Sequence, residues 1–128
     1  MNLEDQIVSL EYAKRLKELD IKQNSLFYWY NDLSGYKWGI CYTKGKIITD
    51  HFYSAYTATE LLEMLPSYID IDRYFNLIIK KYDNFYYCEY SNHMANSEAA
   101  KLADCLAKIL IYLIEDSLIK VEDINNVP

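Results

Sequence analysis

Hydrophobic positions along the chain show one long helical period. Within Asn96 to Glu115, NSEAAKLADCLAKILIYLIE, Leu102, Leu106, Ile109 and Leu113 recur at helical spacing, with Ala99, Ala103, Leu110 and Ile114 one step across. Glu98, Lys101, Asp104, Lys108 and Glu115 fill most of the other face. This predicts a helix whose apolar stripe is wide enough to lie across a sheet. Asn96 or Ser97 offers a side-chain oxygen to cap its start.

Two shorter helical patterns precede it. Ile7 to Leu19 places Tyr12, Ala13, Leu16 and Leu19 on one face, with Ser9 as a cap and Ile21 tucking back onto the helix. Ala58 to Leu65 follows a Thr57/Glu60 capping box and stops at Pro66. Between these lie strand patterns. Leu26 to Tyr30 and Tyr36 to Tyr42 predict a hairpin about the turn Asn31 to Gly35, with Gly39 marking a bulge or a close approach by another group. Lys46 to Tyr53 predicts a short third strand, and Arg73 to Lys81 with Phe85 to Tyr90 a second hairpin. Ser67 to Asp72 reads as a connection, and the tail after Ile119 as loosely held. The order predicts one α+β domain over residues 1–128, α-β-β-(β)-α-β-β-α. It would have an antiparallel sheet of four to five strands, three helices, and the long C-terminal helix packed on the sheet.

Composition narrows the function classes. The 128 residues suffice for one core, and 52% hydrophobic with 25% charged residues argues against disorder. A net charge of −6 disfavours duplex nucleic acid, which recruits clustered Lys and Arg. No run approaches the ~20 apolar residues of a membrane span, and Met1 to Leu10 lacks the apolar core of a secretory leader. Cys41, Cys88 and Cys105 show no metal-ligand spacing and read as half-buried thiols of a reducing cytoplasm. A zinc site would need His51 or His93 to join them, so no metal and no cofactor is expected.

Catalytic signals are sparse. Asp70 and Asp72 could hold a divalent cation as a phosphodiesterase would, but a polar strand entry is the simpler reading. Asp50 and His51 point to opposite faces of a strand. No phosphate loop or nucleophile elbow occurs. The 14 tyrosines and two tryptophans say more: a one-sided sheet houses only alternate residues, so some rings must lie outside the core. They would line either a nucleotide-stacking pocket or a subunit interface, and the two are compatible. Stacking candidates are Trp29, Trp38, Tyr56 and Tyr90. Phosphate candidates are Arg73, a bidentate donor, and the predicted helix start at Asn96 beside Asn92.

The stretch YSAYTATELL from Tyr53 to Leu62 resembles small proteins encoded in phages and prophages. LEYAKRLKELDI from Leu10 to Ile21 and ANSEAAKLADCLAKILIYLIE from Ala95 to Glu115 extend the likeness over most of the chain. Tyr56 stands where the commoner pattern has Pro after Ser-Ala. Some phage proteins of this size look like sponges for bacterial immune signals of the cyclic-nucleotide or ADP-ribose type. The resemblance implies expression in the host cytoplasm during infection and a binding role over catalysis; with the surplus of rings, the expectation is a non-enzymatic homo-oligomer that sequesters such a nucleotide. The alternatives are a protein-binding inhibitor of a host defence enzyme and a metal-dependent phosphodiesterase.

Overall fold

The computed structural model describes residues 2–31, 38–42, 52–70, 74–90 and 95–126. The fold is α+β, with antiparallel strands in two sheets and a long C-terminal helix packed on the four-stranded one. After a 3₁₀ turn at Leu3–Asp5 come α1 (Leu10–Glu18), β1 (Tyr28–Asn31), β2 (Trp38–Cys41), β3 (Phe52–Ser54) and α2 (Ala58–Met64). Then follow β4 (Tyr68–Asp70), β5 (Tyr74–Lys81), β6 (Tyr86–Tyr90), β7 (Ala95–Ala99), α3 (Leu102–Glu115) and α4 (Val121–Asn125).

The first sheet has the order β2-β1-β3, and the second is a meander, β4-β5-β6-β7. The sequence predicts one sheet of four to five strands; the described strands form two. The strands divide because β3 pairs with β1, opposite β2, and the chain then turns through α2 before starting a new sheet with β4. Gly39 on β2 is closely approached: a Cβ there would stand 3.0 Å from the ring of Tyr30, its partner on β1.

α3 is the shared centre. It packs on β6 and β7 and also touches α1 and α2. Leu106, Ile109, Leu110 and Leu113 are fully buried in one connected cluster that takes in Leu16, Leu61, Tyr56, Phe75 and Tyr90. Both stripes predicted for this segment are therefore needed, because helices and sheet enclose it from several sides.

Three sequence expectations are corrected. The helix does not start at Asn96. Residues 95–99 form β7, where Ala95 and Ser97 are buried while Asn96 and Glu98 are exposed, and the helix begins six residues later. Pairing of β7 along β6 prevails over the caps that Asn96 and Ser97 offer. The connection after Pro66 contains β4, which buries Ile69 opposite Phe75. The tail is tied down: α4 buries Ile124, and the Asn125 side chain accepts from Lys22 N at 2.8 Å and donates to the Asp20 carbonyl at 2.9 Å.

Local chemistry explains the remaining ends. Thr57 and Glu60 form the predicted capping box. The Glu60 carboxylate also accepts from the Ser25 hydroxyl at 2.9 Å and from Leu26 N at 3.2 Å, fastening α2 to the approach to β1. Ser9 stands at the start of α1, but its hydroxyl does not cap it. Ser9 N and Oγ instead each donate at 2.6 Å to Asp104. Asp104, which the helical pattern puts on the solvated face, is thus buried at the positive end of α1.

Candidate functional site

An open cleft of about 860 Å³ lies where α2 and α3 begin. The antiparallel bridge between Ile7 and Thr57, with Val8 N bonded to the Tyr56 carbonyl at 2.9 Å, draws the 3₁₀ turn towards α2. Asp5 and Gln6 therefore form one wall, and Thr57 to Thr59 another. The third wall is Ala100 to Ala103, and the Tyr86 ring and Leu26 supply apolar surface. Leu26 is 60% exposed, so this surface meets water in the free protein.

The start of α3 gives the cleft its polarity. Lys101 occupies the cap position and, having no acceptor oxygen, leaves the helix without a side-chain cap. Cys105 N is bonded to the Lys101 carbonyl at 3.0 Å. The N–H groups of Leu102 and Ala103 precede that bond and carry partial positive charge. The Lys101 ammonium donates to the Glu4 carbonyl at 2.8 Å and lies 3.9 Å from Asp104 Oδ2. Asp104 is engaged by Ser9, and Asp5 across the cleft supplies one carboxylate. The cleft thus presents the N–H groups of a helix start, one ammonium, one carboxylate, threonine hydroxyls and a ring.

The sequence candidates do not gather here. Tyr56 and Tyr90 are 1% and 0% exposed core residues. The Tyr56 hydroxyl donates to the Lys22 carbonyl, and that of Tyr90 to the Pro66 carbonyl at 2.7 Å, so neither ring has a face for stacking. Burial pushes the Tyr56 phenol up to about 12 and raises the Tyr90 phenol as well. Asn96 sits opposite Glu89 on β7, away from any helix start. Arg73 and Asn92 lie outside the described residues, as do His51, Asp72 and His93.

Trp29 and Trp38 do share a face of the first sheet. Trp29 is half-buried and its indole donates to the Val8 carbonyl at 2.9 Å. Trp38 packs 5.7 Å from Tyr53, and the Lys14 ammonium lies 5.0 Å above the Trp38 ring. Lys17 lies 4.4 Å over Phe52 and donates to its carbonyl at 2.9 Å. Two lysines of α1 thus already occupy these rings. The surplus of rings is real elsewhere: Tyr42, Tyr68, Tyr82, Phe85 and Tyr112 are exposed.

Tyr86 and Lys101 escaped the sequence reading because displacing the helix start by six residues changes which side chains flank it. The alternation of ANSEA, apolar or small inward and polar outward, was the available signal. Among the described residues no group of three or more His, Cys, Asp or Glu could hold a metal ion. Nor is any described helix long and apolar enough to cross a membrane. Comparison of the chain with protein-family models, curated proteins and solved structures gives no match.

Proposed function

We propose that the protein binds a small phosphate-bearing nucleotide in the cleft between the starts of α2 and α3 and withholds it from other proteins. The observation that carries this reading is the uncapped start of α3 beside Lys101 and the Tyr86 ring in a cavity of about 860 Å³, a size that suits a nucleotide-sized ligand. The phosphate would meet the N–H groups of Leu102 and Ala103 and the Lys101 ammonium. The base would lie against Tyr86 and Leu26. With the phage resemblance, the ligand class is an immune-signalling nucleotide of the cyclic or ADP-ribose type. The setting is then a host cytoplasm, and sequestration the anti-defence activity. A homo-oligomer belongs to the same reading, since the exposed rings outside the cleft suit a subunit contact.

A thermal-shift screen against cyclic nucleotides and ADP-ribose derivatives tests it. A true ligand at ~100 times its Kd adds about 2.7 kcal/mol of stability. Lys101→Glu should abolish that shift, whereas Lys14→Glu, on the Trp38 face, should leave it intact. Lack of stabilisation by every nucleotide would overturn the proposal. Ligand recovered intact after denaturing the complex fits sequestration, while product recovered with Mn²⁺ and lost in Asp72→Asn would mark a metal-dependent phosphodiesterase.

A second reading, a protein-binding inhibitor of a host defence enzyme, is favoured by the exposed Tyr42, Tyr68, Tyr82 and Phe85 on an acidic chain. Capture of a host enzyme by ligand-free protein, undiminished in Lys101→Glu, would support it over sequestration.

A further inference from the structure

Cys88 and Cys105 are 17 residues apart in the chain, yet their sulfurs lie 3.0 Å from each other. Both side chains are fully buried between β6 and α3. Ser97, the partner of Cys88 across β7, places its Oγ 3.4 Å from Cys105 Sγ and donates to the Cys105 carbonyl at 2.7 Å. The Tyr86 carbonyl is 3.4 Å from the same sulfur. A sheet strand and the first turn of a helix thus hold two thiols in fixed register. Closing them to a disulfide needs a movement of only about 1 Å. The third thiol, Cys41, belongs to β2 in the other sheet.

We propose that Cys88 and Cys105 form an oxidation site, a dithiol that a hydroperoxide converts into an intramolecular disulfide linking β6 to α3. The inference stands whatever the cleft binds.

The two sulfurs have different parts. The contact with Cys88, with the nearby Lys108 ammonium, holds the Cys105 thiol below its ordinary value; the same contact and burial push Cys88 up. Position in the first turn of a helix acts on Cys105 in the same sense. In the proposed reaction Cys105 attacks as the thiolate and Cys88 is the resolving thiol. The Cys105 sulfur attacks a peroxide oxygen: an S–O bond forms, the O–O bond breaks, and the departing oxygen leaves protonated as water or alcohol. The Cys88 sulfur then attacks Cys105 Sγ: the S–S bond forms, the S–O bond breaks, and hydroxide leaves as water with the Cys88 proton. Two thiols give up two electrons and two protons, and one peroxide is reduced. Both sulfurs are buried, so the reaction is slow.

Intact mass and peptide mapping after treatment of the folded chain with hydrogen peroxide test the proposal. The expected result is a loss of about 2 Da, the two thiol hydrogens, with a Cys88–Cys105 linked peptide, reversed by dithiothreitol. The unfolding midpoint should rise by about 5–10 °C, as a loop of this length is closed. Cys41→Ser should behave as the parent. Cys88→Ser should instead leave Cys105 as a sulfenic acid that a dimedone probe captures. If that variant fails to fold, the linked-peptide map of the parent decides by itself. Oxygen addition without a link, a link through Cys41, or thiols unchanged while the urea-unfolded chain reacts would overturn the proposal.

Discussion

At the residue scale, the same type of side chain does different work according to where the fold carries it. Tyr42 is 72% exposed, whereas Tyr56 and Tyr90 are core residues whose hydroxyls reach backbone carbonyls. A buried phenol resists ionisation because the phenolate loses its hydration. The consequence for stability has a definite sign. The folded values of Tyr56 and Tyr90 are raised above 10.0, Tyr56 to about 12. Above pH 10 the unfolded chain releases protons that the folded chain keeps, which favours unfolding. Their contribution is fully present below pH 10 and is lost as pH rises from 10 through 12. Urea midpoints should fall between pH 8 and pH 11.5, and Tyr56→Phe should flatten that fall. A parent midpoint that stays level over the range would contradict this account.

At the element scale, long-range side-chain bonds decide how helices meet. Asp104 on α3 accepts both the N–H and the hydroxyl of Ser9, so the start of α1 is capped by another helix. This bond holds the 3₁₀ turn and α1 against α3, next to the cleft. Asp104→Ala would leave Ser9 N unpaired near the core and remove a charge-assisted pair, costing about 2–3 kcal/mol by urea unfolding. Ser9→Ala keeps the N–H bond and should cost less. Equal costs would mean that the hydroxyl bond alone matters. The ends of α1 and α3 show a related economy. Asp20 and Ser117 adopt φ of 67° and 59°, and Ile21 N and Leu118 N bond back to the Leu16 and Leu113 carbonyls. Each helix thus closes in a left-handed turn without glycine, and Ile21 is buried as its apolar character requires.

At the scale of the whole molecule, α3 ties the second sheet to α1 and α2. Its buried face belongs to the same cluster as Tyr56 before α2, Leu16 on α1 and Tyr90 on β6. Leu106→Ala should therefore cost about 2–5 kcal/mol, with near-UV and far-UV circular dichroism falling in one coincident transition; separate transitions would show that the sheets unfold independently. Local pattern is enough for the α+β class, α1 and α2 to within a few residues, most strands, and the body of α3. Each is set by local periodicity or by a cap read within a few residues, as with Thr57 and Glu60. Long-range contacts set the division into two sheets, the strand β7 in place of a helix start, the docking of α4, and the burial of Asp104, Tyr56 and Tyr90. They also bring Lys101 and Tyr86 to one cleft and Cys88 to Cys105. The reason is that pairing and burial depend on residues far apart in the chain. Alternation in five residues cannot announce its partner strand, and a tyrosine carries no local mark of which side of a sheet will be covered.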